Sequence, residues 1–551
     1  MNKAKYLSLI FAGLLMLPTF IAGCSVSPSA EDPADTGAEN DNSSYFSDGD
    51  FREAYLETPD AVITLSGNTG TLSDSTRGSS GSVVKITSKG VYLVQGSSEG
   101  VQIVVDEGQK TGNIYLVFEN VSMTNEGPCV YVADADKVIF QSVGTSALNN
   151  TKSSDGAIYS KDDISFSGNG TFEIISAKHG IEGNDDIVIT GGTISITADN
   201  AGIRANDSIR IGGGIINVIS GKDGLKVDSD EGTGYFVMTD GTVTVDAGYD
   251  AVDIGTSEPV EFTGFISLEG GELHLTAGGG QAYPSSETSQ KGLKCDGNIY
   301  FRGADIDISS SDDAFHSARS ILIESGNMTL ACSDDGISSD AVTEIAGGRL
   351  SITKSYEGID AESVIISGGE IFVISSDDGI NTSVEMGAES QGISLSGTQY
   401  AVGDIRITDG SLHIDAMGDG LDSNCSIYIE GGTVIVEGPS NNGNCVFDFG
   451  DGDEHVLSIT GGYVIGTGSG GKIRNFNAGT QPAALMYFPS AGGDTLSVDD
   501  GTGWSVGIER SFVCVIYSSP GLKEGETYTV TYGDKTQEFS FADGLYFDTS
   551  H

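Results

Sequence analysis

A repeat of about 22 residues constrains the fold of this chain more than any other feature of its sequence. Each copy carries a corner dipeptide, often Asp-Gly, whose second residue is small. Most copies lie 21 to 24 residues apart, and two gaps of 41 residues predict insertions around Glu258–Gln290 and Ser383–Tyr400. A period of this length is typical of solenoids. The small corner residues are Gly156, Gly180, Gly202, Gly224, Ala251, Gly292, Ala314, Gly336, Gly358, Gly379, Gly420 and Gly443.

Within each repeat, apolar residues alternate with polar ones, as in residues 347–369, GGRLSITKSYEGIDAESVIISGG. Alternation at period two predicts half-buried strands. Three short strands per repeat, without helical periodicity, predict an all-β right-handed parallel β-helix over residues 59–475. An antiparallel sandwich would not normally keep so constant a period. Residues 476–551 lose the repeat and predict a small C-terminal β cap. In the quoted segment, the expected inward residues are Leu350, Ile352, Ile359, Val364 and Ile366.

The N-terminus has the pattern of an export signal. Two lysines precede an apolar run that is short for a membrane span, and Ile21-Ala22-Gly23-Cys24 follows. This segment resembles the lipobox of bacterial lipoproteins, which implies that residues 1–23 are a signal peptide and that Cys24 carries the lipid. An ordinary secretory peptide is the alternative. Residues 24–58 are expected to be a flexible acidic linker. The lipid on Cys24 would then hold the folded part of the protein at the extracellular face of the bacterial membrane.

Charge excludes several classes of partner. The chain has 79 acidic and 27 basic residues, for a net charge of -52. Nucleic acid and anionic membrane surfaces would repel it, whereas cations would bind. The six cysteines after Cys24 lack CxxC spacing, so we expect small buried residues and no zinc site.

Acidic residues recur at the repeat corners. In a parallel β-helix, equivalent positions in successive coils lie about 4.8 Å apart, so the corner carboxylates would stack and repel one another. Ca²⁺ resolves this conflict because it binds six to eight oxygen ligands. For a single Asp-Gly pair, a simple turn dipeptide is the alternative. The predicted metal ligands are Asp223, Asp250, Asp253, Asp312, Asp313, Asp334, Asp335, Asp377, Asp378, Asp419 and Asp422.

Scarce basic residues gather in the middle repeats, close to several of these aspartates. They predict either a salt-bridge ladder that offsets the carboxylates, or a groove in which cations and Ca²⁺ hold a uronic-acid polymer. The predicted ligand-binding residues are Arg204, Lys222, Lys226, Lys291, Lys294 and His316.

Several ordered segments carry a family resemblance: VVKITSKGVYLVQG (83–96), VQIVVDE (101–107), the strands of 114–140 and GETYTVTYG (525–533). Together with the DGI and GGxIxI repeats, they make the chain similar to carbohydrate-binding domain-containing β-helix proteins that bind cellulose and acidic sugars. Their fold resembles that of pectate-type polysaccharide lyases. The resemblance implies extracellular polysaccharide binding with bound calcium and no established catalysis.

The predicted function is therefore calcium-dependent binding of an extracellular polysaccharide by a monomer, without cleavage. An acidic, pectin-like polygalacturonate is the preferred ligand, and cellulose is a further candidate. Two alternatives remain open: a calcium-dependent uronate lyase with Arg204, Lys226 or Lys294 as base, and a structural or adhesive surface protein in which the aspartates only stabilise the solenoid.

Overall fold

The computed structural model describes residues 45–152, 154–284, 288–384, 391–439 and 441–548. This part of the chain is all-β, and its only helices are two short 3-10 turns, Asp48–Phe51 and Ala54–Leu56. No helix in the described ranges is long and apolar enough to cross a membrane. The predicted signal peptide, Cys24 and the first part of the predicted linker lie outside the described residues.

Most strands belong to three parallel ladders, and the chain visits the first, second and third ladder in turn. We call one such passage a rung. The first ladder follows the acidic corners. Its strands are Val83–Ile86, Gln102–Asp106, Val130–Asp134, Ile158–Ser160, Ile181–Gly183, Ile203–Ala205, Leu225–Asp228, Val252–Gly255, Leu293–Cys295, Phe315–Ser317, Ile337–Ile345, Ile359–Ile366, Ile380–Thr382, Leu421–Ser423 and Phe447–Phe449.

Several strands are long enough to pair in two ladders, because a bulge at the glycine turn bends them without ending them. Strands that begin in the second ladder are Ala61–Gly67, Gly90–Glu99, Ile114–Asn125, Lys137–Val143, Asp163–Gly168, Ile187–Ala198, Ser208–Ser220, Tyr235–Ala247, Phe265–Leu268, Asn298–Ser310, Ile321–Ala331, Ile405–Ile407, Ile427–Ile429, Leu457–Ile459 and Ala478–Gly479. Those confined to the third ladder are Thr145–Asn150, Thr171–Ser176, Glu272–Ala277, Arg349–Ser355, Glu370–Ser375, Ser411–Ala416, Thr433–Glu437 and Tyr463–Gly468.

The core lies between the ladders and consists of one continuous cluster of buried apolar side chains. Alternate residues of each strand point into it, and the five residues predicted to face inward in 347–369 are all buried. That part of the prediction is confirmed. Burying one face of every strand also fixes the register, because a slip of one residue would expose the whole apolar set.

The corner glycines are required by close contact between neighbouring segments. A Cβ atom at Gly379 would lie 2.4 Å from Cγ2 of Ile414 and 2.5 Å from the carbonyl oxygen of Gly420. The turn glycines between the second and third ladders differ, because Gly348 has φ of 79°, which favours a residue without Cβ. The Asp-Gly corners are thus places of tight packing between rungs.

The repeat boundaries differ from the predicted ones at both ends. Ile158 pairs with Ile181, which makes Ala157, and not Gly156, the equivalent of Gly180. At the other end, the amide of Leu421 donates to the carbonyl oxygen of Val446, so Val446, and not Gly443, occupies the corner. A glycine count misplaces these corners because the buried strand residues set the register.

The two predicted insertions also differ in form. The first is split, because intact ladder strands Phe265–Leu268 and Glu272–Ala277 lie inside Glu258–Gln290. Its extra residues therefore form two loops, one before and one after these strands. The second insertion is a single excursion that contains an antiparallel hairpin, Gln391–Ile393 with Gln399–Ala401. Each extra loop leaves the parallel pairing on both sides in place.

Residues Tyr45–Leu56, here called the strap, lie across the outer face of the second ladder. Arg210 donates to the carbonyl oxygen of Tyr45 at 2.9 Å, and Asp50 pairs with Lys137. Farther along, Ala54 joins a buried cluster with Tyr115 and neighbouring apolar residues. The predicted flexible linker therefore ends earlier than Pro59, because its few apolar and charged residues find partners on the strands.

The C-terminal region continues the third ladder. Tyr463–Gly468 pairs antiparallel with Phe512–Ser518, which pairs antiparallel with Ala483–Ser490, and this strand pairs parallel with Tyr546–Asp548. A four-stranded antiparallel sheet completes the region, with its own apolar cluster. Its strands are Ser505–Ile508, Asp494–Val498, Thr527–Tyr532 and Lys535–Ser540. Near the N-terminus, Thr69–Leu72 pairs antiparallel with Ala61–Gly67, and Gly78–Ser79 pairs antiparallel with Val83–Ile86.

The six cysteines of the described chain are free thiols. All but Cys425 are buried, in keeping with their expected role as small core residues. Burial raises the pKa of the Cys295 thiol to about 12, so this thiol is protonated and unreactive at neutral pH.

Candidate carbohydrate-binding site

The central outward residues of the first-ladder strands form one column. In the register of these parallel strands, Glu182 lies beside Arg204, Arg204 beside Lys226, Lys226 beside Asp253, and Asp253 beside Lys294. The column then continues through His316, Ser338, Asp360, Asn381, Asp422 and Asp448. Basic residues occupy its middle and acidic residues its later rungs.

A concave pocket of about 440 Å³ opens beside the basic part of this column. Four of the predicted ligand-binding residues line it: Arg204, Lys222, Lys226 and Lys294. Tyr249 lines the pocket as well and is 37% exposed, so its ring offers an apolar surface. The pocket lining therefore combines cationic and aromatic groups with the carboxylates of Asp223, Asp250 and Asp253.

Two of the pocket lysines are held by buried aspartates. The ammonium of Lys226 lies 3.0 Å from Oδ2 of Asp223 and also contacts Asp253. Lys294 lies 3.1 Å from Oδ1 of Asp253 and 3.6 Å from Oδ2 of Asp250. These five residues form one alternating cluster of charges. Its two ammonium groups balance most of the charge of its three carboxylates.

The electrostatics of this cluster bear on proton transfer. Burial alone would lower the pKa of Lys226, but the carboxylates of Asp253 and Asp223 outweigh it and hold the pKa above its usual range. The same balance raises the pKa of Lys294. Burial and the Asp253 carboxylate raise the pKa of Asp250 to about 6. Both lysines are thus protonated at neutral pH, which makes them poor general bases.

The other two predicted basic ligands lie outside the pocket lining. The Lys291 ammonium is 2.8 Å from Asp312 and 2.6 Å from Asp313. His316 Nδ1 lies 3.5 Å from Oδ2 of Asp313. Burial would raise the pKa of Asp313, yet His316 and Lys291 together lower it. At these rungs the basic side chains act as partners of corner carboxylates, as in the salt-bridge ladder.

The later rungs are acidic. No lysine, arginine or histidine of the described chain forms an ion pair with Asp335, Glu357, Asp378 or Asp419. Burial, with repulsion from neighbouring carboxylates, raises the pKa of Asp335 to about 8 and that of Glu357 to about 7. Burial raises the pKa of Asp419 to about 7 and that of Asp378 to about 6, despite backbone hydrogen bonds. We call the corners that carry these four residues, together with the first-ladder strands that follow them, the acidic rungs.

Corner carboxylates also have a structural role. The amide of Glu357 donates to Oδ1 of Asp335 at 3.2 Å, and the amide of Asp419 donates to Oδ1 of Asp378 at 2.6 Å. The amide of Cys445 donates to Asp419 in the same way. Each carboxylate therefore binds the backbone of the next rung and leaves its second oxygen available for another partner.

The donor sets fit Ca²⁺ unequally. Oxygens of Asp378, Asp419 and Asp422 lie within 4.8 Å of one another, and so do those of Asp223, Asp250 and Asp253 and of Asp312, Asp313 and Asp334. Lysine ammonium groups already balance the last two groups. No basic side chain of the described chain forms an ion pair with Asp378, Asp419 or Asp422, although Lys472 and Arg474 pair with the neighbouring Asp448. Oxygen ligands without a paired cation suit a hard cation. Asp377 lies at the same corner as Asp378.

Sequence reasoning missed Asp448, whose carboxylate lies beside Asp419 and Cys445. The miss follows from the misplaced last corner, because the true rung runs through Phe447 and Phe449. The alternation Phe-Asp-Phe could have identified it, since only one register buries Phe447.

A family model for carbohydrate-binding domain-containing proteins matches residues 80–336 and 333–461, which is most of the chain and includes the pocket and the acidic rungs. The chain belongs to the carbohydrate-binding domain-containing protein family.

A protein of this description from Acetivibrio thermocellus is 32% identical over 122 residues. The alignment covers 20% of this chain and 42% of that protein, so the chain spans less than half the length of this relative. A solved structure, described as the polysaccharide lyase-like protein from C. thermocellum in a gadolinium derivative, is 24% identical, with a TM-score of 0.34. The match covers 52% of this chain and 96% of that one.

Proposed function

We propose that this protein binds an extracellular polysaccharide, preferably an acidic one, without cleaving it. The observation that carries the proposal is the pocket on the first ladder. In a chain with a net charge of -52, it brings together the ring of Tyr249 and four cationic side chains, two of which are paired with Asp223, Asp250 and Asp253 and two of which, Arg204 and Lys222, are not. The carboxylates of a uronic-acid polymer would be attracted there, although the rest of the surface repels anions.

Calcium is the second part of the proposal. Ca²⁺ would be held by Asp378, Asp419 and Asp422, with Asp377 nearby. A bound cation would supply positive charge where the column has no basic residue, and it would bridge the carboxylates to a polyanion. The lysine-balanced aspartates are weaker candidates because their charge is already neutralised.

The remaining parts concern shape and location. We propose that the three ladders wind as a right-handed parallel β-helix, which the 22-residue register and the order of visits support. We also propose that Cys24 anchors the protein to the outer face of the bacterial membrane, as the lipobox pattern favours. The ligand would then be met outside the cell.

Retention on immobilised polysaccharide tests the proposal. The purified protein is passed over polygalacturonate and over cellulose, each with calcium and with a chelator, while absorbance from unsaturated uronate products is recorded. We expect retention on polygalacturonate that weakens with the chelator, and no new absorbance. Equal passage through every column would contradict polysaccharide binding.

Rising absorbance would instead favour the lyase alternative. Lys226 and Lys294 are poor bases for that reaction, because their neighbouring carboxylates keep them protonated. A lyase would therefore need a different base, and a lysine variant that retained turnover would direct the search elsewhere.

A further inference from the structure

The basic groups that line the pocket fall into two sets. Lys226 and Lys294 are held by Asp223, Asp250 and Asp253, as described above. On the preceding rungs, no carboxylate of the described chain forms an ion pair with Lys222. Arg204 uses Nη2 to donate to Asp228 at 3.2 Å, while its Nη1 lies 3.8 Å from Glu182. Donors for a ligand are thus concentrated at the end of the pocket that precedes Lys226.

His179 adds a neutral donor at the same end. It is only 6% exposed, and its Nδ1 accepts a hydrogen bond from the amide of Ala201 at 3.3 Å. Burial and the nearby charges of Lys178 and Arg204 lower the pKa of His179 to about 3, so the ring is neutral. With Nδ1 accepting, the proton resides on Nε2. The nearest carboxylate oxygen, Oε1 of Glu182, is 3.9 Å from Nε2.

At the Lys222 end of the pocket, basic side chains outnumber the carboxylates that pair with them. Glu182 accepts from Lys178 at 3.2 Å and from the amide of Gly156 at 2.7 Å. Asp228 is the partner of Arg204. At this end of the pocket, the three cations Lys178, Arg204 and Lys222 therefore face two carboxylates. The neighbouring cluster of Lys226 and Lys294 has one carboxylate in excess, so an anion would bind beside Lys222 and Arg204 and not beside that cluster.

We propose that Lys222, Arg204 and the Nε2 proton of His179 form a binding subsite for one carboxylate of an acidic sugar. This inference rests on the proposed function and assigns its acid recognition to one end of the pocket. Tyr249 lies on the next rung, where its amide donates to the carbonyl oxygen of Lys222 at 3.2 Å. Its exposed ring is placed to contact the ring of the same sugar.

The test compares a galacturonate trimer with its methyl ester by calorimetric titration of the full-length protein. The ester keeps the sugar rings and removes the negative charges. We expect the acid to bind at least tenfold more tightly, and Lys222→Gln and His179→Gln each to lower affinity for the acid about tenfold, because charge-assisted hydrogen bonds are lost. Neither variant should change affinity for the ester appreciably.

Lys523→Gln is the matched control, since it removes the same charge from an exposed lysine of the C-terminal region. Lys222→Arg should retain most of the affinity because the cationic donor is kept. Melting curves show whether each variant is folded, and Lys222 is exposed, so its variants should melt like wild type.

The outcomes separate the two proposals. Tight binding of the acid by wild type and by both variants would overturn the subsite and leave polysaccharide binding intact. Equal binding of acid and ester by wild type would overturn the subsite and the acidic preference together. Failure of wild type to bind the two trimers, polygalacturonate and cellulose would overturn the proposed function, and the subsite with it.

Discussion

Lys226 lies between two buried carboxylates, and its contribution is mainly to stability. Its side chain is 25% exposed and approaches Asp223 and Asp253 from the open side of the column. Lys226→Ala would leave Asp223 without a cation and Asp253 with Lys294 as its one remaining partner among the described residues. Breaking a fully buried pair costs about 3 to 5 kcal/mol; with this partial exposure, we expect the free energy of unfolding to fall by about 2 kcal/mol. Urea denaturation measures the change.

The matched comparison is Lys222→Ala, which removes the same charge from the corner directly before the strand that carries Lys226. This variant should leave the denaturation midpoint nearly unchanged. Combining Lys226→Ala with Asp253→Asn should recover part of the lost stability, because fewer unbalanced charges remain. Equal midpoints for the two single variants would show that the ion pairs of Lys226 contribute little.

At this scale, sequence predicted which residues come together but not how they pair. The repeat places Arg204, Lys226 and Lys294 in one column, with Asp253 between the two lysines, because the register follows from the buried strand residues. It does not show that Lys226 and Lys294 turn toward carboxylates while Lys222 remains unpaired. Those choices depend on side-chain rotamers and on distances between corners, which spacing leaves undetermined.

Rungs meet at their corners with little free space, and a single methyl group is enough to test this packing. Gly379→Ala would place Cβ within 2.4 Å of Ile414 and 2.5 Å of the Gly420 carbonyl oxygen. Overpacking of this kind costs about 1 to 3 kcal/mol. We expect a lower thermal midpoint and faster hydrogen exchange at adjacent rungs.

Gly507 is the control, because a Cβ there would meet no heavy atom within 4 Å and its backbone needs no special conformation. Gly507→Ala should leave the thermal midpoint unchanged or slightly higher. If the two alanine variants melted alike, the corner would have more room than its distances indicate.

Element boundaries were predictable where apolar alternation is strong. The strands of residues 347–369 and the strands of the C-terminal region agree with the structure in type. The split insertion and the strap were not predictable, since both depend on contacts with residues far along the chain. Asp50, for example, finds Lys137, which no local pattern relates to it.

Excess negative charge links the stability of the whole molecule to pH. The carboxyl groups of Asp335, Glu357, Asp378 and Asp419 have pKa values of about 6 to 8 in the folded state, against about 4 for carboxyl groups in the unfolded chain. As pH rises from about 4 to 8, the unfolded state loses these protons first, and stability falls. We expect a lower thermal midpoint at pH 8 than at pH 5 in chelator.

Asp335→Asn provides the matched test, because its amide oxygen can still accept from Glu357 while the charge is removed. This variant should melt higher than wild type at pH 8 and differ little at pH 5. Acid below about pH 4 should destabilise both proteins, since Asp313 and Asp50 have lowered pKa values and lose their ion pairs there. An Asp335→Asn midpoint below that of wild type at pH 8 would contradict the proposed repulsion.

Calcium should oppose this trend. A cation that binds the folded state at 100 times its dissociation constant adds about 2.7 kcal/mol of stability. We expect calcium to raise the thermal midpoint at pH 8, and to do so less at pH 5, where protons already neutralise the carboxylates. Magnesium, which requires tighter octahedral geometry, is the comparison ion. No response to calcium at pH 8 would exclude binding at the acidic rungs.

The strap has a mechanical consequence. It crosses several rungs against their order, so tension applied upstream of Tyr45 would first reach the contacts at Arg210 and then those at Lys137 and Ala54. These contacts would have to peel away one after another before the pull reached the first strand, Ala61–Gly67. The strap would therefore have to detach from the strands before a force applied at its N-terminal end could unpair the first strands of the ladders.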